Sequence, residues 1–459
     1  MSLRFGTDGW RAVIADEFTF ANVRRVAAAI DAVLPRAETP VAVGWDTRFG
    51  SRAFARALAE VLARSGRKIA LSASPCTTPA VSCQVVATRA PFGVSITASH
   101  NPPQFNGIKI KSARGASAPP EVTREVEKAL GEEPPAGGAP PGGIEERSFV
   151  EAHRERLLSM VDLDRIRGAG LRVRFDAMHG SSGRSLEEMV SGGATTVETL
   201  RAAPDALFGG NNPEPLEANL KSLGEAMRKG GADIGLATDG DGDRIGAYDE
   251  KGRFVTPLQI APLLALDMIA GGRSGEICKT YANTIWLDRI AERHKLPFTV
   301  HPIGFKYIAE RMESAGFLIG GEESGGIGVD GYLPERDGLL VSLLLLDLLA
   351  KARRPFSALL ADLSRDYGEL HYARKDIPCP PEMGKALAES LRSDTPTKVG
   401  SLAVTGLDAL DGVKLLFGSD GWILVRPSGT EPVLRVYCEA PSPDAVRAAL
   451  DEMVARVSS

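Results

Sequence analysis

Apolar runs of strand length alternate along this chain with longer runs of helical periodicity, and no other feature limits the possible folds so strongly. Residues 41–45 (Val-Ala-Val-Gly-Trp) precede the helix-like 51–65, and 68–71 precede 78–88. This alternation predicts layered α/β units. A chain of 459 residues, at roughly 100–200 residues per domain, divides into three or four such units. Pro and Gly crowd residues 131–143, which predicts an exposed connection and sets the first unit at 1–150. A second unit, 151–255, has a strand at 171–175, a helix at 185–190 and closing strands around 234–248. A third, 256–368, has strands near 276–279 and 298–301 and a Leu-rich helix after Asp337. A smaller unit, 369–459, carries strands at 422–426 and 433–438 and a terminal helix.

Several function classes are disfavoured by composition. A net charge of -5 gives no general attraction for nucleic acid, so an anionic substrate must be met by local charge. The longest apolar stretch, 339–350, is broken by Ser342 and Asp347 and falls short of the roughly 20 residues a membrane span needs, so it reads as a buried helix. The first residues, Met1 to Gly6, show no apolar signal core, and a cytoplasmic location is expected. Five cysteines without a C-x-x-C pair are expected to be buried free thiols.

Four segments carry the chemistry. Asp239-Gly-Asp241-Gly-Asp243-Arg244 lies between two strand candidates. It places carboxylates at alternate positions, with glycines that let the loop curl around one point, which suits a hard divalent cation bound through oxygen. Glu250 stands where an EF-hand would close, but 244–248 reads as a strand, so a calcium loop is the weaker reading. Thr97-Ala-Ser99-His100-Asn-Pro follows the apolar run 92–96 and puts Ser99 at a strand end. Taken alone, a Ser-His pair is more often a turn or a cap than a nucleophile, and no G-x-S-x-G elbow is present.

Gly320-Gly-Glu322-Glu323-Ser324-Gly-Gly326 frames two carboxylates and a hydroxyl, groups suited to sugar hydroxyls. Residues 326–331 formally match G-x-G-x-x-G, but Tyr332-Leu333-Pro334 does not open the helix that a dinucleotide site requires. Arg426-Pro-Ser428-Gly429-Thr430-Glu-Pro offers a guanidinium, hydroxyls and open backbone N–H groups, which are phosphate ligands. It is not a Walker loop.

In this order these four motifs resemble the α-D-phosphohexomutase superfamily of phosphoglucomutases, phosphomannomutases and phosphoglucosamine mutases. Phe5-Gly6-Thr7-Asp8-Gly9-Trp10-Arg11 is similar to the family's opening motif, and Asn106-Gly107-Ile108-Lys109 to the segment after its phosphoserine. The resemblance implies three similar α/β mixed-sheet domains and a smaller C-terminal α+β domain around a central cleft.

It further implies that Ser99 is a phosphoserine and that Asp239, Asp241 and Asp243 hold one Mg2+ together with an oxygen of that phosphate. Arg11 and Arg244 would add positive charge near the travelling group. Arg426, Ser428, Gly429 and Thr430 would grip the non-reacting phosphate, with Lys279 as a further phosphate contact, and Glu322 and Ser324 would read the sugar hydroxyls. The accepting hydroxyl needs a general base, for which Lys109, His100 and Lys306 are the candidates.

The reaction implied is reversible transfer between C1 and C6 of a hexose phosphate through a hexose 1,6-bisphosphate, with the fourth domain closing to exclude water. Small hexose phosphates are then the partners, and the chain would be a monomer or a dimer. The sugar loop ends in Gly326 where many dual-specificity members have histidine, so no histidine role is implied there. Glu-Glu-Ser is closer to phosphoglucomutase-like members, and phosphoglucosamine mutases usually have Gln where Glu323 stands. The alternatives are a phosphoglucosamine mutase, a phosphatase, or a non-catalytic sugar phosphate-binding relative. Kinase chemistry lacks both its motifs.

Overall fold

The computed structural model describes residues 3–6, 9–134, 143–427 and 432–458. Most of the 131–143 connection lies outside the described residues, as do Thr7, Asp8, Ser428, Gly429 and Thr430.

Four main sheets follow one another along the chain. The first orders its strands Trp10–Val13, Phe105–Ser112, Phe92–Ile96, Val41–Trp45, Ile69–Ser72 and Ile144–Arg147. Its last four strands are parallel, while the first two pair antiparallel. In the second, Ile234–Thr238, Arg172–Asp176 and Thr196–Leu200 are parallel. Ile245–Asp249 and Phe254–Val255 add an antiparallel edge. The third places Phe298–His301, Glu276–Thr280 and Phe317–Gly321 in parallel, and Ile327–Val329 antiparallel beside the last.

One pattern therefore occurs three times, a parallel core whose outer strand turns back through a hairpin. The returning hairpins hold residues 97–104, 239–244 and 322–326, between strands that end at Ile96, Thr238 and Gly321 and restart at Phe105, Ile245 and Ile327. The three chemistry-bearing loops thus share one topological position, at the carboxyl end of a parallel strand, where ligands of open α/β sheets collect. The fourth sheet is antiparallel throughout, in the order His371–Pro378, Val433–Ala440, Trp422–Pro427, Val413–Leu416, Gly406–Asp408.

The strands and helices expected at 41–45, 78–88, 185–190 and 298–301 form with those bounds, and the other expected strands differ by one or two residues at their ends. Helix Gly338–Ala352 is the predicted Leu-rich helix. Asp337 starts it by accepting from the Leu339 and Leu340 N–H groups, which satisfies donors that have no partner within the helix. Its leucines are buried on nearly every side because it belongs to one core drawn from both the second and third units, from Leu157 to Leu370. The first and last units have cores of their own. Among the described residues no helix is long and apolar enough to cross a membrane. All five cysteines are free and buried.

Candidate active site

The hairpin after Phe92–Ile96 delivers Ser99 in a left-handed backbone conformation, φ 52°, which is uncommon for a residue with a Cβ and is maintained only where neighbours enforce it. The Thr97 hydroxyl accepts from the Ser99 N–H at 2.8 Å. The buried Arg48 guanidinium donates to the carbonyls of Ser99 and Asn101, both at 2.6 Å, and to those of Pro102 and Phe105. Asp46 pairs with Arg48 at 3.2 Å. The Ser99 loop is thus clamped by a residue that the sequence reading does not select. Its signal is weak: a charged Asp-Thr-Arg directly after a fully apolar strand.

Ser99 is fully buried and its hydroxyl donates to Asp239 Oδ2 at 3.0 Å. His100 Nδ1 lies 3.4 Å from the serine hydroxyl oxygen. Burial, reinforced by Arg244, Arg11 and Lys109, holds the His100 imidazole well below its ordinary range, so it is neutral. Arg11, on the edge strand, donates to Asn101 Oδ1 at 2.6 Å.

The second hairpin brings Asp239, Asp241 and Asp243 together, with one ligand atom from each within 4.8 Å of the others. The glycines between them are needed sterically. A Cβ at Gly240 would lie 2.8 Å from the Ser99 carbonyl oxygen, and Gly242 has φ 76°. Asp239 Oδ1 accepts the Asp243 and Arg244 N–H groups at 2.8 and 3.1 Å. Asp241 Oδ2 accepts from the Thr78 hydroxyl at 2.6 Å and from Lys109 at 2.9 Å. Asp243 Oδ2 accepts from Lys109 at 3.0 Å and pairs with Arg336 at 2.9 Å.

Two oxygens, Asp241 Oδ1 and Asp243 Oδ1, are buried with no hydrogen-bond partner. Buried polar atoms are rarely left so. Burial together with Asp243 and Asp241 pushes the Asp239 carboxyl well above its ordinary range, whereas Asp241, against the same burial, is held low by Lys109 and Thr78. Hard carboxylate oxygens, orphaned lone pairs and crowded charge together fit a divalent cation.

The third hairpin presents Glu322, Glu323 and Ser324, with Glu322 N–H closing the turn on the Gly326 carbonyl at 2.9 Å. Burial raises the Glu322 carboxyl to about 7, opposed by Arg336, whose Nη1 donates to Glu322 Oε2 at 2.9 Å. Glu323 accepts from Thr280 at 3.2 Å. Thr78 and Arg336, like Arg48, escape the sequence reading.

Of the other expected residues, Arg244 pairs with Glu214 at 2.9 Å, and Arg426 pairs with Asp411 at 2.9 Å on the last hairpin. Lys306, half-buried, stacks on the Tyr307 ring and lines a cavity of about 330 Å³ with Phe5, Gly6 and Gly9. Lys279, on strand Glu276–Thr280, is buried. Its buried ammonium donates to the Thr284 carbonyl at 3.0 Å, pairs with Asp288 and lies over the Phe298 ring.

Comparison with known proteins agrees over the whole length. Models of phosphoglucomutase/phosphomannomutase α/β/α domains I, II and III match residues 2–136, 148–252 and 256–367, and that of the C-terminal domain matches 400–457. A phosphoglucomutase/phosphomannomutase of Thermococcus kodakarensis is 31% identical, across 98% of this chain and 97% of its own. The phosphoglucosamine mutase of Symbiobacterium thermophilum is also 31% identical, across 96% and 95%. The crystal structure of a phosphomannomutase homologue from Thermus thermophilus is 37% identical, covers all of both chains and superposes with a TM-score of 0.90.

Proposed function

This chain belongs to the α-D-phosphohexomutase superfamily, and from that premise we propose that it moves a phosphoryl group between C1 and C6 of a hexose phosphate through Ser99. The observation that carries the reading is the Ser99 hydroxyl, strained into a left-handed turn and set 3.0 Å from a carboxylate trio that has two unpartnered buried oxygens.

Asp239, Asp241 and Asp243 would hold one Mg2+, which when bound neutralises charge on a phosphoryl group attached to Ser99. The remaining steps belong to side chains. Arg426, with Ser428, Gly429 and Thr430, grips the non-reacting phosphate and so presents the opposite hydroxyl to phospho-Ser99. Glu322 and Ser324 orient the ring. As the sugar oxygen bonds to phosphorus the Oγ–P bond breaks, and the hydroxyl proton must leave. The neutral His100, 3.4 Å from Oγ, stands at the leaving serine oxygen and would relay that proton to it. The hydrogens of Lys109 are already shared by Asp241 and Asp243, so it supplies charge, as do Arg11 and Arg244. The bisphosphate turns over in the cleft and gives its other phosphoryl back to Ser99.

A phosphorus NMR time course with Mg2+, trace glucose 1,6-bisphosphate and equal glucose, mannose and glucosamine 1-phosphates tests this. Growth of 6-phosphate signals is expected, glucose or mannose ahead of glucosamine. Release of inorganic phosphate alone would make the protein a phosphatase. A second reading, preference for glucosamine phosphate, is favoured by relatives of that name at the same identity, and the same spectrum decides it.

A further inference from the structure

The metal loop and the sugar loop belong to different sheets, yet one buried side chain touches both. Arg336, which precedes helix Gly338–Ala352, lies with Nη2 2.9 Å from Asp243 Oδ2 and Nη1 2.9 Å from Glu322 Oε2. Its guanidinium carbon stands 5.5 Å over the Phe305 ring. The main chain beside it is fixed, because the Gly338 N–H donates to the Gly242 carbonyl at 2.9 Å. Gly326 has no side chain where Arg336 passes: a Cβ there would stand 2.6 Å from Arg336 Cδ and 2.9 Å from Glu322 Oε2. A planar fork suits this double task in a way that an ammonium does not.

Resting on the function proposed above, we propose that Arg336 is a positioning residue that holds Glu322 for the sugar hydroxyls and, by the same charge, competes with the cation for Asp243. Its two roles push in opposite directions. Without it Glu322 loses the guanidinium that orients it, and sugar binding weakens. Asp243 loses the ion pair with Arg336 and keeps that with Lys109 at 3.0 Å, and therefore attracts an added cation more strongly. General loosening of the site would weaken both.

Arg336→Met should raise the KM for glucose 1-phosphate about 10-fold or more, with kcat changed much less. In the same variant, calorimetric titration of metal-stripped protein with Mg2+ should show binding tightened about threefold or more. Arg336→Lys, which keeps the charge but not the fork, should return Mg2+ affinity toward wild type while KM stays raised. Gly326→Ala displaces the side chain without removing charge, and should raise KM alone; it also serves if the methionine variant does not fold. In a Glu322→Gln background the KM effect of Arg336→Met should vanish. Unchanged KM, or KM and Mg2+ affinity weakening together, would overturn the proposal. Failure of the wild-type protein to interconvert sugar phosphates would instead overturn the function it rests on, and the Mg2+ titration would still report on Arg336.

Discussion

The hairpins at 239–244 and 322–326 sit at the same place in two sheets of the same topology, yet they differ in how fully the chain offsets their buried negative charge. In the first, three carboxylates face one another within 4.8 Å and two of their oxygens have no partner. In the second, Glu322 carries its own counter-charge in Arg336, and burial leaves its carboxyl near 7. The first loop is incomplete without an outside cation. The second is internally paired, with Arg336 fixing the Glu322 carboxylate. One backbone frame thus carries an excess of buried negative charge in one sheet, where Lys109 and Arg336 offset three carboxylates only in part, and a compensated carboxylate in the next.

The contrast should show first in catalysis. Asp243→Asn should lower kcat by about 10³-fold in a coupled spectrophotometric assay, because transition-state charge loses its main stabiliser. Equal losses from the conservative Glu322→Gln would break the distinction. Glu322→Gln should instead raise KM by roughly 10- to 100-fold with kcat less affected, the signature of a lost recognition contact.

Removal of metal should sharpen the contrast in stability. A cation that binds the folded state at 100 times its Kd adds about 2.7 kcal/mol. Chelation should therefore lower the melting temperature by a few degrees in wild type and in Glu322→Gln, but not in Asp243→Asn, as read by scanning fluorimetry. The smallest effect is on pH. Glu322 is raised from 4.5 to about 7, so it is protonated below that point and a full acceptor above it. KM should fall as pH rises through 7, and the inflection should be absent from Glu322→Gln. The linkage runs the other way for folding: the native state holds the proton more tightly, so the stability contribution of Glu322 declines between pH 4.5 and 7.

The parts of this site legible in the sequence are local ones. Strands announce themselves by apolar runs, loops by glycines, and Asp239-Gly-Asp-Gly-Asp declares a cation because alternation and glycine spacing are both contained in a few residues. Thr78 is not legible. It lies 163 positions from Asp241 in the chain, and nothing in its own helix signals that its hydroxyl will cross to another domain. Arg48 and Arg336 fail for the same reason, since a charged residue beside an apolar segment reads as surface until packing buries it. The partners of Lys279, by contrast, are local: Asp288 and the Thr284 carbonyl both lie within ten residues of it. The shared position of the three hairpins is hidden too, because strand order is set by which apolar faces meet and is not written in any one segment.

The central claim is a covalent phosphoryl group on Ser99, and phosphopeptide mapping by mass spectrometry after incubation with Mg2+ and glucose 1,6-bisphosphate tests it directly. The account predicts one added phosphoryl group on the peptide containing Ser99, lost on chase with excess sugar monophosphate acceptor, and no label or mutase turnover in Ser99→Ala. Label on another residue, or a Ser99→Ala protein that turns over at the wild-type rate, would contradict it.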